Sequence, residues 1–325
     1  MSVGDVDNPF RESGRWLKGA LHTHTSESDG ILSPADVVRA YRELGFHFVV
    51  FTDHGKVTRF DGSSGDFLTL PGIELGLRRL TPDKYWHFIG VDAVDAPTSE
   101  LDSPVDIYEY VRAKSRFCVL AHPYWSQLTG TDLTMLEGLA SLEVWNTGCE
   151  IEIGRGYAEY EWDWCLSAGR RMTGVAVDDS HGLDDLGKGW VLVKAAELSA
   201  DAILRALSRG CFYSSCGPEI RDIRLGGGPQ TQWSALGDPE RCIHVTTSPC
   251  RSISFISDAQ QGALVTGDPK REKSRWGTPA EGGGEITSAA YVFKGREKYV
   301  RVQCVDGHGR KAWSNPFYPL WPRPE

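Results

Sequence analysis

The chain has 325 residues, with 35 Lys and Arg against 44 Asp and Glu, a net charge of −9. Its 40% hydrophobic and 24% charged residues describe an ordinary globular protein and exclude a disordered or fibrous one. No run reaches the roughly 18–20 apolar residues that cross a bilayer, and residues 1–15 lack the apolar core of a secretion signal. A membrane protein is thereby excluded, and a cytoplasmic location is expected.

The eight cysteines (118, 149, 165, 211, 216, 242, 250 and 304) form no CxxC pair, and several sit in apolar runs such as Phe117-Cys118-Val119-Leu120. They read as buried thiols of a reducing compartment, not as a disulfide framework or a zinc finger. Charge is uneven: residues 1–215 hold 20 basic and 32 acidic side chains, and residues 216–325 hold 15 and 12. An acidic larger part disfavours long nucleic acid, whose binding rewards basic surfaces. Because one core rarely exceeds about 250–300 residues, a large domain at 1–215 and a small one at 216–325 are expected.

In chain order, Gly19–Leu21 reads as a first strand. Ser33-Pro34 opens a helix, with Ser33 as cap and Pro34 in the first turn, and Gly45 stops it. Phe46–Phe51 reads as a buried strand. Ser103-Pro104 opens a second helix, and Phe117–Ala121 is the next strand. Further strands are predicted at Ser141–Trp145, Thr173–Val177 and Trp190–Val193, and helices around Tyr157–Ser167 and Ala200–Ser208. This alternation predicts an α/β fold with parallel strands, as a barrel or an open sheet. After Cys216-Gly217-Pro218, short alternating runs such as Tyr299–Val305 are punctuated by Gly226-Gly227-Gly228-Pro229 and Gly282-Gly283-Gly284, which predicts a small all-β, sandwich-like domain.

Six of the nine histidines fall at or beside apolar runs that end in acidic or imidazole groups: His22-Thr23-His24 with Asp29, Asp53-His54, Glu74, His87, His122, and Asp179-Ser180-His181. In βα architectures the C-terminal strand ends converge on one face. Residues i and i+2 of a strand end point the same way, so His22 and His24 can grip one ion together. Imidazole with carboxylate is the ligand chemistry of zinc, manganese and iron. A single strand-end histidine is an ordinary hydrogen-bonding group, and it is the joint occurrence that predicts a polynuclear metal site. His47, His244 and His308 lie outside the pattern.

These motifs (Leu21-His22-Thr23-His24-Thr25 with Ser28-Asp29-Gly30, Thr52-Asp53-His54, Gly72-Ile73-Glu74, His87, Ala121-His122-Pro123 and Asp179-Ser180-His181) resemble those of the polymerase and histidinol phosphatase (PHP) family of metal-dependent phosphoesterases. The resemblance covers roughly residues 16–215. It implies a distorted, TIM-like (β/α)7 barrel and two to three divalent ions, Mn, Zn or Fe. By the same resemblance His22, His24, Glu74 and Asp179 hold the first ion. Glu74 bridges to a second, shared with His87 and His122, and Asp29, His54 and His181 hold the third. Asp29 stands where some members place a histidine. Cys211–Ser215 with Gly217-Pro218, and Ala312-Trp313-Ser314-Asn315-Pro316, are similar to the carbaryl-hydrolase-like (CehA/McbA) metallohydrolase subgroup, which carries a β domain after the barrel.

The chemistry so implied is hydrolysis of a phosphate ester, on a small molecule or short nucleotide, by a hydroxide held between cations. Asp53, Glu74 and His181 are the side chains expected to take part, with Asp53 read equally as a proton-handling or orienting residue and as a turn aspartate. Lys56, Arg155 and Lys188 are candidate phosphate contacts or solvated loop cations, and Asn146 is a candidate to orient substrate. Trp125, Trp145, Trp162 and Trp164 are candidate pocket walls or core. Two other readings stand beside this one: a carbamate or carboxylic ester hydrolase on the same centre, and a non-catalytic metal-stabilised binding module. No Walker, GxGxxG-helix or serine-elbow motif supports nucleotide-driven, dinucleotide or triad chemistry.

Overall fold

The computed structural model of the chain describes residues 8–77, 84–226, 241–258, 261–268, 270, 277–279 and 284–319. The glycine-rich stretches at Gly227–Pro229 and Gly282-Gly283 lie outside the described residues. The chain divides into two compact units. Residues 13–165 and 170–214 form the first; residues 8–12 and 166–169 and the described part of 215–319 form the second.

The first unit runs β1 (Arg15–Ala20), α1 (Pro34–Glu43), β2 (Phe48–Phe51), β3 (Leu68–Gly76), β4 (His87–Val91), α2 (Pro104–Lys114), β5 (Phe117–Leu120) and α3 (Gly130–Leu133). It continues with β6 (Ser141–Asn146), α4 (Thr147–Ile153), α5 (Glu159–Ser167), β7 (Thr173–Val177), β8 (Trp190–Ala195), α6 (Ala200–Ser208) and β9 (Phe212–Ser215). Its strands lie in the order β9-β8-β1-β2-β3-β4-β5-β6-β7.

The helices start where their caps stand. Ser33 Oγ accepts the Asp36 N–H, Pro34 follows it, and α1 stops at Gly45, whose φ of +74° suits a residue without Cβ. Ser103 caps α2 through the Asp106 N–H in the same way. α1 buries Val37, Val38 and Tyr41 against Val49 and Phe51, and α6 buries Ile203, Leu204 and Leu207 against Leu17, Val191, Val193 and Phe212. Each such side chain contributes about 1.5–3 kcal/mol by leaving water. Gly19 gives β1 room beside Phe48, because a Cβ there would fall 1.9 Å from the ring.

The fold is α/β, but its sheet is not closed into a barrel. β1-β2-β3 and β5-β6-β7 are parallel, whereas β4 runs antiparallel to both β3 and β5, and β8 runs antiparallel to β1. Among the described residues no ladder joins β7 to β8. The reversal of β4 has a simple cause. Residues 77–86 are fewer than the dozen or more that a parallel crossover needs, so the chain returns alongside β3.

The second unit is built of strands: β10 (Ile220–Leu225), β11 (Cys242–Cys250), β12 (Ser252–Ile256), β13 (Gly262–Thr266), β14 (Gly277–Pro279), β15 (Ile286–Val292), β16 (Arg301–Val305) and β17 (Lys311–Ser314). β13-β12-β16-β17 and β10-β11-β15-β14 are its two strand sets, and the ladders within each are antiparallel. Phe255 of the first set stacks on Tyr291 of the second, with ring centroids 5.8 Å apart. The N-terminal segment belongs to this unit because Asn8 Nδ2 donates to the Ile223 carbonyl at 2.9 Å and Arg11 pairs with Asp222.

None of the eight cysteines forms a disulfide, and all but the half-buried Cys118 are buried. No helix among the described residues is long and apolar enough to cross a membrane.

Candidate metal centre

Beyond β1 the chain stays extended, which places His22 and His24 on one side and Thr23 on the other. Thr23 is fixed by its N–H to Thr52 Oγ1 at 2.8 Å and by its carbonyl, which accepts the Thr52 N–H at 2.9 Å. Both histidines therefore point inward, and both are buried. Glu74 arrives from β3, its N–H bonded to the Asp53 carbonyl, and Asp179 follows β7, its N–H bonded to the His22 carbonyl. Asp179 (φ +53°) and His122 (φ +27°) both lie in the left-handed region. Such backbone costs roughly 1–3 kcal/mol per residue and persists where the surroundings impose it.

Four atoms meet at the centre. His22 Nε2 lies 3.0 Å from His24 Nε2, 3.2 Å from Glu74 Oε2 and 3.1 Å from Asp179 Oδ1. His24 Nε2 lies 3.2 Å from Glu74 Oε2 and 3.1 Å from Asp179 Oδ1. A tetrahedron with ligand bonds of about 2.0 Å, as for zinc, has edges of about 3.3 Å. The spacing therefore fits one small cation. The donor chemistry fits too: Glu143 Oε1 is 2.7 Å from His22 Nδ1. A carboxylate only accepts, so a proton belongs on Nδ1, and Nε2 is the nitrogen left to bind a cation at the position that Glu74 and Asp179 share.

The same convergence makes these groups strong proton traps. Burial lowers the imidazoles of His22 and His24, but the facing carboxylates outweigh it, leaving His22 well above its usual range and lifting His24 to about 9. Burial works against ionised Glu74 and Asp179, yet their histidine partners hold both carboxyls well below the ordinary range.

Glu74 reaches in a second direction. Its Oε1 lies 2.7 Å from His87 Nδ1 and 3.4 Å from His122 Nε2, while Oε2 is 3.1 Å from His54 Nδ1. His54, Glu74 and His87 form a second group able to hold an ion, with His122 beside it. The third group is His24, Asp29, His54 and His181. Asp29 Oδ2 is 3.5 Å from both His54 Nε2 and His181 Nε2, and these three side chains are 38–52% exposed, a looser and wetter arrangement.

The remaining sequence candidates take different places. Asp53 is fully buried, and its carboxylate accepts from the Thr25 N–H and from the hydroxyls of Thr25, Ser28 and Thr58. Burial raises its pKa, but these donors outweigh the effect and hold it lowered, so it acts as an anionic post for the loop that carries Asp29. Asn146 is buried and spends its amide inside the protein. Nδ2 donates to Glu143 Oε2 at 2.8 Å and Asp179 Oδ2 at 3.0 Å, and Oδ1 caps α4 through the Cys149 N–H. Its amide thereby orients Asp179. Lys56 pairs with Glu27, Lys188 Nζ donates to the Asp184 carbonyl, and Arg155 lies over the Tyr124 ring at 5.7 Å. Of the four tryptophans singled out, Trp125 walls a cavity, while Trp162 is core and Trp145 bonds Thr147.

Among the described residues, two cavities open at Glu74, His54 and His87. One of about 450 Å³ is walled by Trp125, Ile151, Glu152, Asp184 and Asp185, and the other, of about 700 Å³, by Leu75, Leu77, Glu100, Leu101 and Asp102. Among the described residues Lys and Arg line neither, so Lys56, Arg155 and Lys188 are not in the walls.

Three supporting residues escaped the sequence reading. Glu143 bridges His22 to the His122 N–H and Asn146. Asp178, fully buried, accepts from Tyr41 Oη and from the N–H groups of Gly187, Lys188 and Gly189, which ties down the loop after His181. Asp185 accepts the His181 N–H at 2.8 Å. The one available signal was an acidic residue inside an apolar run, as in Leu142-Glu143-Val144.

Fold and side-chain geometry together define an α/β protein whose strand ends gather three His, Asp and Glu groups able to hold metal ions. No protein-family model matches the chain, and no curated protein is significantly similar to it. A solved two-domain protein from Bacteroides vulgatus containing a predicted PHP-like metal-dependent phosphoesterase is similar at TM-score 0.50 and 15% identity, over 94% of this chain and 95% of that one. That likeness establishes a shared fold. A protein from Bifidobacterium adolescentis described as a metal-dependent phosphoesterase is 17% identical over 59% of this chain and 96% of that one, at TM-score 0.42. An amidohydrolase from Chromobacterium violaceum, with bound sulfate and no metal, is 13% identical over 52% and 89%, at 0.35.

Proposed function

We propose that the protein is a metal-dependent hydrolase of phosphate esters, of the PHP family and its carbaryl-hydrolase-like subgroup. In this reading the first unit, with its open sheet, carries the metal chemistry, and residues 216–325 are an appended β domain. The protein works in the cytoplasm on small-molecule or short nucleotide esters with two to three Mn, Zn or Fe ions. The reading is carried by the four donor atoms of His22, His24, Glu74 and Asp179, which stand at the edge lengths of a small cation's coordination shell.

His22, His24, Glu74 and Asp179 would hold the first ion, Glu74 with His87 and His122 the second, and Asp29, His54 and His181 the third. When bound, the ions activate water and polarise the ester. The chain supplies the rest. Glu143 and Asn146 fix His22 and Asp179 before substrate arrives, which is preorganisation of the kind that lowers barriers without rearrangement. His181, half-exposed at the cavity, is held by the Asp179 carbonyl through Nδ1 at 3.0 Å, which keeps Nε2 turned toward Asp29, where it would hold the third ion.

A second reading, hydrolysis of carbamate or carboxylic esters, is favoured by the cavity walls, which among the described residues carry Glu152, Asp184 and Asp185 and neither Lys nor Arg. A panel of phosphomonoester, phosphodiester and carbamate substrates with added Mn²⁺ separates the two. Phosphate-ester cleavage alone supports the first reading, and carbamate cleavage alone the second. A protein inert on the whole panel with metal bound contradicts both and leaves a binding module.

A further inference from the structure

His24 has two ring nitrogens, and only one of them serves the four-atom centre. Nε2 faces His22, Glu74 and Asp179. Nδ1 is buried and makes no hydrogen bond, although the residue as a whole is only 2% exposed. Leaving a buried N–H unsatisfied costs about 1–3 kcal/mol. His22, its partner in the motif, has no such deficit, because Glu143 takes its Nδ1 proton.

A carboxylate faces the orphaned nitrogen. Asp29 Oδ1 stands 3.5 Å from His24 Nδ1, and Oδ2 of the same carboxylate stands 3.5 Å from His54 Nε2 and from His181 Nε2. A separation of 3.5 Å is longer than a formed N–H···O bond, but Asp29 is half-exposed and on a loop, so a small side-chain rotation closes it. Its two oxygens thus look into different parts of the site. A histidine at position 29 would offer the third group a ligand nitrogen without also offering His24 a carboxylate oxygen.

We propose that Asp29 serves both groups at once: Oδ1 accepts from His24 Nδ1–H, and Oδ2 is a ligand of the third ion, so that one carboxylate couples the first and third metal positions. This rests on the metal-centre reading above. The hydrogen bond orients His24 and makes Nε2 a better donor, the role that partners of ligating histidines play. Filling the third position holds Asp29 where it supports the first.

Asp29→Asn and Asp29→Ala separate the two roles. Asparagine keeps an oxygen for His24 but loses the anionic ligand, whereas alanine loses both. The measurement is metal content by mass spectrometry after Mn²⁺ loading and dialysis, followed by the chelator concentration that strips half of the remaining metal, with thermal melts checking the fold. Both variants should bind about one ion fewer than the parent protein. The ions left in Asp29→Asn should resist chelator as in the parent, within about threefold, and those in Asp29→Ala should be about 10-fold easier to strip. Equal chelator resistance of the two variants overturns the bond to His24, and an unchanged ion count in both overturns the ligand role. A parent protein that binds no metal overturns the metal-centre reading itself, a distinguishable result.

Discussion

Glu143 Oε1 lies 2.7 Å from His22 Nδ1 in a site where both side chains are buried. The other carboxylate oxygen accepts the His122 N–H and Asn146 Nδ2, each at 2.8 Å. One acidic side chain from the middle of β6 thus sets the tautomer of His22, the backbone of His122 and, through Asn146, the direction of Asp179.

Replacing Glu143 with Gln keeps the volume but puts an NH2 where the His122 N–H and Asn146 Nδ2 need an acceptor. Metal affinity should fall about 10–100-fold, as for other partners of ligating histidines, while the circular dichroism spectrum stays that of the parent. Chelator competition checks this. Unchanged affinity would mean that His22 holds its orientation without Glu143.

Asp178 accepts five hydrogen bonds, one of them from the Thr147 hydroxyl, with no exposure to water. Asp178→Ala leaves three backbone N–H groups and the Tyr41 hydroxyl without their acceptor. A loss of about 3–5 kcal/mol is expected from breaking such a buried network, read as a shift of the urea midpoint. A shift under about 1 kcal/mol would show that water replaces the carboxylate.

Lys56, Lys188 and Arg155 are engaged at the surface by Glu27, the Asp184 carbonyl and the Tyr124 ring, outside both cavity walls. Alanine at each should leave kcat/KM on the best substrate of the panel within about twofold, because exposed pairs of this kind contribute little. A tenfold rise in KM at any of them would return that residue to the substrate contacts expected from sequence.

The gathering of these histidines and carboxylates was legible because a strand end has a two-residue period. His22-Thr23-His24 and Asp179-Ser180-His181 announce a shared direction, and strand ends gather in α/β folds whatever the details. Glu143 was not legible, because its partners His22 and His122 are remote in sequence and its strand reads as buried and apolar. The direction of β4 was equally hidden: nothing in Tyr85-Trp86-His87-Phe88-Ile89 says which way a strand there runs, and the short connection from β3 decides it. Asn146 was singled out by its place at a strand end, but that place is also the cap of α4, and its bonds to Glu143 and Asp179 were not legible.

Removing the ions should cost stability as well as activity. Ligands that bind only the folded state stabilise it by about 2.7 kcal/mol at a hundredfold excess over Kd, so EDTA should lower the melting temperature by about 5–10 °C and Mn²⁺ or Zn²⁺ should restore it. Glu74→Gln should abolish hydrolysis with the fold intact, because the charge shared between two groups is lost and the volume is not.

The most direct measurement is the metal content of the purified protein by inductively coupled plasma mass spectrometry after reconstitution and dialysis. At least two divalent ions per chain are expected, falling below the parent value in Glu74→Gln. Less than one ion per chain, under Mn²⁺, Zn²⁺ and Fe²⁺ alike, would contradict a polynuclear centre at these strand ends.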